Sequence, residues 1–284
     1  MRPRAVSIPY LLGGAFHRMA LTEWGDPLAP PVVCVHGLTR NGADFDILAE
    51  ALADRFRVIC PDLPGRGGSD WLPDPMLYQA QHYVTALGHL LTWIGRDVAW
   101  VGTSLGGLCG MLLAATPNTP IRRLILNDIG PFIPAAALGR IRDYMLASAG
   151  SSLTGRFTDI DAVERYLRLV HAPFGDLTDA QWRRLAVSSC RDVAGGGYTL
   201  HYDPAIVEPM RDTPPADVNL WAMWPHIRVP VLAIRGESSD ILLPETLDRM
   251  RESGASGCVV PNAGHAPALM DDAQIAVVRD FLQA

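Results

Sequence analysis

The chain has 284 residues, enough for one large domain or two small ones. Its 49% hydrophobic and 19% charged content excludes disordered, collagenous and coiled-coil classes. All 24 basic residues are arginine, which removes Schiff-base chemistry, pyridoxal-phosphate anchoring and a P-loop lysine. A net charge of −6 with no arginine-dense run argues against a nucleic-acid partner.

Residues 2 to 16 start basic (Arg2, Arg4), but Ser7, Pro9, Gly13 and Gly14 interrupt the apolar stretch, so no secretory leader is expected. Pro31 to His36 then reads as a strand, Ala43 to Ala53 as a helix, Phe56 to Cys60 as a strand and Leu77 to Ile94 as a helix. Val98 to Thr116 carries no charge and is long enough for a membrane span, yet its four glycines and Thr103-Ser104 divide it. A buried strand, Val98 to Gly102, turning sharply into a buried helix, Gly107 to Ala115, explains the same composition, and no membrane partner is expected. Ile121 to Asn127 is the next strand. About 95 residues without a buried-strand pattern follow it. They contain helical patterns at Ala135 to Ser148, Asp161 to Val170 and Asp179 to Val187, many of the aromatics, and Gly195-Gly196-Gly197, read as a flexible joint. Strand and helix then resume: Val229 to Arg235, Pro244 to Glu252, Gly257 to Pro261 and Asp272 to Leu282.

Near-continuous apolar strands are buried on both faces, and their alternation with helices predicts an α/β fold with a doubly wound, mostly parallel sheet. The expected organisation is a core of residues 1–129 and 227–284 with a helical cap inserted over 130–226. The five cysteines form an odd set without CxxC spacing and the eight histidines lack HExxH spacing, so reduced thiols in a cytoplasmic protein, with no metal site, are expected.

Gly102-Thr103-Ser104-Leu105-Gly106 is a G-x-S-x-G that ends a buried strand and opens a Gly/Ala-rich helix, the context a nucleophile elbow requires. Small neighbours let the serine stand exposed on a strained turn, and the helix N-terminus behind it favours developing negative charge. His36-Gly37-Leu38 follows the Val32 to Val35 strand, so the backbone N–H groups of Leu38 and Leu105 are candidates for an oxyanion hole, with His36 holding the loop. His265 follows the last strand, at the same sheet edge as Ser104, and is the histidine placed to be a general base. His171, His201 and His226, in or beside the insertion, at most line a pocket. Arg40 is a candidate for holding a substrate carboxylate, although an exposed arginine is the better fit by composition, and Trp221 and Trp224 are candidates for an apolar pocket wall.

Together the HGLTRNGADFD segment, the DLPGRGGSD loop, the GTSLGG elbow, the insertion before RGESSDILLP and the terminal NAGHAPAL resemble the α/β-hydrolase fold superfamily. The resemblance covers essentially the whole chain. It implies Ser104 as nucleophile, His265 as base, a covalent acyl-enzyme intermediate and no cofactor. It also implies an acid three residues after Gly236, where this chain has Ser239. Asp240 is one residue late, and Asp128, at the end of the preceding strand, is the alternative position and the preferred acid. The expectation is a serine hydrolase of small or medium carboxylic esters. Amide, enamide and carbon–carbon bond hydrolysis use the same residues, and a ligand receptor on a hydrolase scaffold is a rival of another class.

Overall fold

The computed structural model of the protein describes residues 3–149 and 156–284. An eight-stranded sheet forms its centre. The strands are β1 (Arg4–Leu12), β2 (Ala15–Trp24), β3 (Pro31–Val35), β4 (Arg57–Pro61), β5 (Val98–Thr103), β6 (Ile121–Asn127), β7 (Val231–Gly236) and β8 (Ser256–Val260). Their order across the sheet is β1-β2-β4-β3-β5-β6-β7-β8, antiparallel between β1, β2 and β4 and parallel from β4 to β8. This is the mostly parallel α/β architecture expected from the strand–helix alternation.

Both faces of the parallel strands are covered, as their apolar runs require. Along β3, Val33 and Val35 join one core layer while Val32 and Cys34 join the other. Helices α1 (Asp46–Leu52) and α8 (Asp272–Gln283) pack on the second layer through Leu48, Leu52, Ile275 and Val278. On the first layer lie α2 (Ala80–Ile94), α3 (Leu105–Ala114) and α7 (Pro244–Glu252), with Tyr83, Leu87, Cys109, Leu247 and Met250 turned inward. All five cysteines are free thiols. The charge-free stretch from Val98 to Thr116 is β5 followed by α3, and no described helix is long and apolar enough to cross a membrane.

The β1–β2 hairpin has no counterpart among the expected strands. It forms one edge of the sheet, and just Ile8, Tyr10 and Leu12 alternate inward along β1, a weaker pattern than a continuous apolar run.

The insertion between β6 and β7 contains α4 (Ala135–Ala149), α5 (Ile160–Val170) and α6 (Asp179–Ser188). It also contains two short ribbons, Phe132–Ile133 with Val218–Asn219 and Cys190–Asp192 with Tyr198–Leu200. Val163, Leu167, Trp182 and Leu185 turn into the first core layer, continuous with the sheet packing. Gly195, Gly196 and Gly197 are not a joint between two bodies. All three adopt positive φ (83°, 91° and 82°) in the turn of the second ribbon, a conformation that favours glycine.

Candidate active site

Ser104 sits between β5 and α3 with φ 51° and ψ −115°, a strained conformation for a side-chain-bearing residue. The turn is possible because its flanks are glycines: a Cβ on Gly102 would meet the Gly106 carbonyl at 2.4 Å, and one on Gly106 would meet the Val35 carbonyl at 2.0 Å. The Ser104 N–H donates to Asn127 O on β6 (2.9 Å), so the neighbouring strand fixes the turn. His265 comes from the loop between β8 and α8. Its Nε2 lies 2.8 Å from Ser104 Oγ and its Nδ1 lies 2.7 Å from Asp128 Oδ2. With the proton on Nδ1 donated to Asp128, Nε2 is free to accept from the serine hydroxyl.

Asp128 follows β6 directly, with φ 56°, and is fully buried. Its N–H donates to Ile234 O (2.7 Å), and its Oδ1 accepts from the Gly236 N–H (2.8 Å). Oδ2 accepts from both His265 and the Ser239 hydroxyl, the latter at 2.5 Å. Ser239 thus occupies the position where the resemblance implied an acid, and it hydrogen-bonds the acid that stands elsewhere. Asp240 points the other way, its carboxylate 49% exposed and paired with Arg140 through two 2.7 Å contacts.

The loop after β3 is held by two buried side chains. His36 donates through Nδ1 to Gly37 O (2.7 Å) and accepts the Leu63 N–H at Nε2 (2.9 Å). Arg66 donates to Leu38 O (2.9 Å), Pro64 O and Tyr83 Oη. Neither the Leu38 N–H nor the Leu105 N–H has a hydrogen-bond partner among the described residues. Gly37 lies close to Ser104, a built Cβ there standing 3.7 Å from the serine Cβ.

Burial pushes the His36 imidazole down to about 3, and the charges of Arg66 and Arg40 push the same way against the Gly37 hydrogen bond. Unfolded, this ring takes up a proton near pH 6.5 that the folded state refuses. Its stabilising contribution is therefore complete above about pH 6.5 and declines below it by about 1.4 kcal/mol per pH unit. Asp62 works in the opposite sense, because burial raises its carboxyl to about 6. Comparing wild type with His36→Gln cancels Asp62. Between pH 7.5 and 5.0, urea titrations should show wild type losing about 2 kcal/mol more than the variant. Equal losses would mean that His36 does not titrate as its burial requires.

A cavity of about 350 Å³ opens beside Ser104 and His265. Its walls include Leu38, Ile141, Tyr144, Met145, Val170 and Phe174, with Arg40, Asp44, Arg140, His171, Thr39 and Thr103 among the polar members. Arg40 is only 5% exposed, contrary to its reading as a surface residue: Asp44 accepts from its Nε and Nη2 (2.6 to 3.2 Å), and Phe174 lies 5.9 Å from the guanidinium. Trp221 and Trp224 do not belong to this wall. They pair edge to face with each other, Trp221 under Arg249 at 3.9 Å and Trp224 donating to Ser253 Oγ at 2.8 Å, so their apolar surface is spent on packing near α7.

The sequence profile of the alpha/beta hydrolase family matches residues 32–279. The chain belongs to the α/β-hydrolase family. It is 41% identical to a 3-hydroxybutyrate-oligomer hydrolase of Cupriavidus necator, over 98% of this chain and 97% of that one. It is 32% identical to a 2-(acetamidomethylene)succinate hydrolase of Mesorhizobium japonicum, over 83% and 81%. Among solved structures, an α/β hydrolase from Novosphingobium aromaticivorans superposes with a TM-score of 0.85 at 35% identity, covering 98% of each chain.

Within this hydrolase the structure brings Ser104, His265 and Asp128 together, and places Leu38, Leu105 and Arg40 around them. It separates Asp240, Trp221 and Trp224 from that group. Three contributors had no assigned role in the sequence. Ser239 and Arg66 lay in quoted motifs, but only their contacts give them partners. Asp44 stands four residues after Arg40, a spacing that on a helical turn pairs opposite charges and was the one available signal.

Proposed function

We propose that this hydrolase cleaves carboxylic esters through a Ser104 nucleophile, and that its substrates are short esters and oligoesters of 3-hydroxy acids. The observation carrying this reading is the hydrogen-bonded run from Ser104 Oγ through His265 to Asp128, opening on a largely apolar cavity. The 3-hydroxybutyrate-oligomer hydrolase relative supplies the substrate class.

In this mechanism Ser104 Oγ attacks the ester carbonyl while His265 Nε2 takes its proton, and Asp128 stabilises the resulting imidazolium. The oxyanion meets the unpartnered N–H groups of Leu38 and Leu105 at the start of α3. Collapse expels the alcohol, which takes the proton back from His265. A water activated by the same nitrogen then splits the acyl-serine to release the acid. Residues 130–226 act as a cap in this reading, since α4 and the Val170 to Phe174 turn supply nearly half of the residues lining the cavity.

The enamide hydrolase relative acts on a dicarboxylate, which would require unpaired cations. Both arginines at this cavity already hold carboxylates, Arg40 with Asp44 and Arg140 with Asp240, which disfavours a substrate with two carboxylates. Purified protein should react with a fluorophosphonate at Ser104 and release acid from 3-hydroxybutyrate dimers and trimers, with chelator making no difference. A protein that neither labels nor releases acid is a binder, and the reading falls.

A further inference from the structure

One polar side chain in the cavity has no task in the mechanism above. His171 follows α5, and its backbone N–H donates to Leu167 O (2.8 Å). Neither of its ring nitrogens has a hydrogen-bond partner among the described residues, although the ring lines the cavity together with Ser104 and His265. Water can engage both nitrogens in the free enzyme, but a bound chain that displaces this water leaves them unpaired, at a cost in free energy, unless it engages them itself.

The ring is also held in place. It stacks on Phe174 with centroids 4.6 Å apart and planes at 22°, and Phe174 carries the Arg40 guanidinium that Asp44 anchors. The turn containing Pro173 and Phe174 is bonded to the loop of the proposed base: the Gly264 N–H donates to Pro173 O (2.8 Å) and the Ala268 N–H to Phe174 O (3.2 Å). His171 is therefore fixed relative to both the oxyanion loop and His265. Burial, with the charges of Arg40 and His265, pushes this imidazole well below its ordinary range, so it offers one N–H donor and one bare nitrogen in neutral form.

We propose that His171 is a specificity-determining residue, hydrogen-bonding the oxygen that a 3-hydroxyacyl chain carries on the carbon β to its ester carbonyl. This rests on the ester reading above. Beside Arg40 and Arg140, which already hold carboxylates, His171 is a fixed hydrogen-bonding group with both ring nitrogens unengaged, and it selects a chain with an oxygen within its reach. It selects against the plain alkyl chain, which would leave the group buried and unpaired. A neutral imidazole suits a neutral hydroxyl or ester oxygen better than a carboxylate.

The test compares kcat/KM for 4-nitrophenyl 3-hydroxybutyrate and 4-nitrophenyl butyrate, which share a leaving group and differ only in that oxygen. Wild type should prefer the hydroxylated ester by roughly tenfold or more. His171→Phe keeps the stack and removes the hydrogen bond, so it should bring the ratio to within about threefold of unity, mainly by slowing the hydroxylated ester. His171→Asn should retain part of the preference. Fluorophosphonate labelling at the wild-type rate shows that each variant is folded with its serine intact; should His171→Phe fail that control, His171→Asn decides, an alkyl-like ratio overturning the proposal. Absence of a preference in wild type, an unchanged ratio in the variant, or an equal loss on both esters overturns it as well. Turnover of neither ester by wild type would overturn the ester reading itself, and this assignment with it.

Discussion

Ser104→Ala is expected to lower kcat on 3-hydroxybutyrate esters by about 10³-fold or more while leaving the fold intact. The serine side chain makes no contact that the core depends on: its hydroxyl faces His265 and the cavity, and the turn is fixed by its backbone bond to Asn127 and by the glycines at 102 and 106. Alanine meets the same cost at φ 51° as serine does, so the melting temperature should move by only a few degrees. The loss should appear in kcat and kcat/KM alike, because the covalent step disappears while the cavity remains. Loss of fluorophosphonate labelling must accompany it. A folded alanine variant that still turns over esters at a substantial rate would mean that another group attacks.

The parts of the fold that were legible in the sequence are those where burial on both sides writes a continuous apolar run. β3, β5, β6 and β7 each lie between two helical layers, and their apolar runs read as strands, β5 once its glycines and Thr103-Ser104 set it apart from the helix that follows. The β1–β2 hairpin lies at the sheet edge and alternates buried with exposed residues, so its signal was diluted by positions such as Phe16. At the site, Ser104 and His265 were legible because a local backbone constraint and a position at the sheet edge each single them out. The tryptophans were not, since an apolar side chain declares that it will be buried but not against what, and Trp224 is buried beside Ser253. His171 carried too little signal for the same reason. Its significance lies in ring nitrogens that no neighbour engages, and sequence spacing cannot reveal that. The RGESS segment shows the limit most clearly. Read along the chain it displaces the expected acid by one residue, whereas in three dimensions Ser239 points at Asp128 and Asp240 points at Arg140.

That divergence sets up the second large effect. Asp128→Asn should lower kcat by about 10⁴-fold, and Asp240→Asn should stay within a few-fold of wild type. Asp240 is half exposed in an ion pair at the cavity rim, and such pairs contribute about 0–1 kcal/mol. Asp128 is buried and acceptor-only: Oδ1 takes the Gly236 N–H, and Oδ2 takes both the Ser239 hydroxyl and the His265 Nδ1–H. An asparagine must put its NH₂ at one of those two positions. Facing Gly236, it sets N–H against N–H in the core, where an unsatisfied pair costs about 1–3 kcal/mol of stability. Facing His265, it forces Nδ1 to accept and so moves the ring proton to Nε2, the nitrogen 2.8 Å from Ser104 Oγ. The second orientation keeps the Gly236 bond, but the Ser239 oxygen already accepts the Ile241 and Leu242 N–H groups and cannot take the amide as well, so this orientation also costs some stability. In it the fold survives and the histidine can no longer take the serine's proton. Steady-state kinetics on both variants, with urea titrations to establish that each is folded, decide the matter. A crippled Asp240→Asn beside a near-normal Asp128→Asn would mean that the loop after β7 rearranges to present Asp240 to His265.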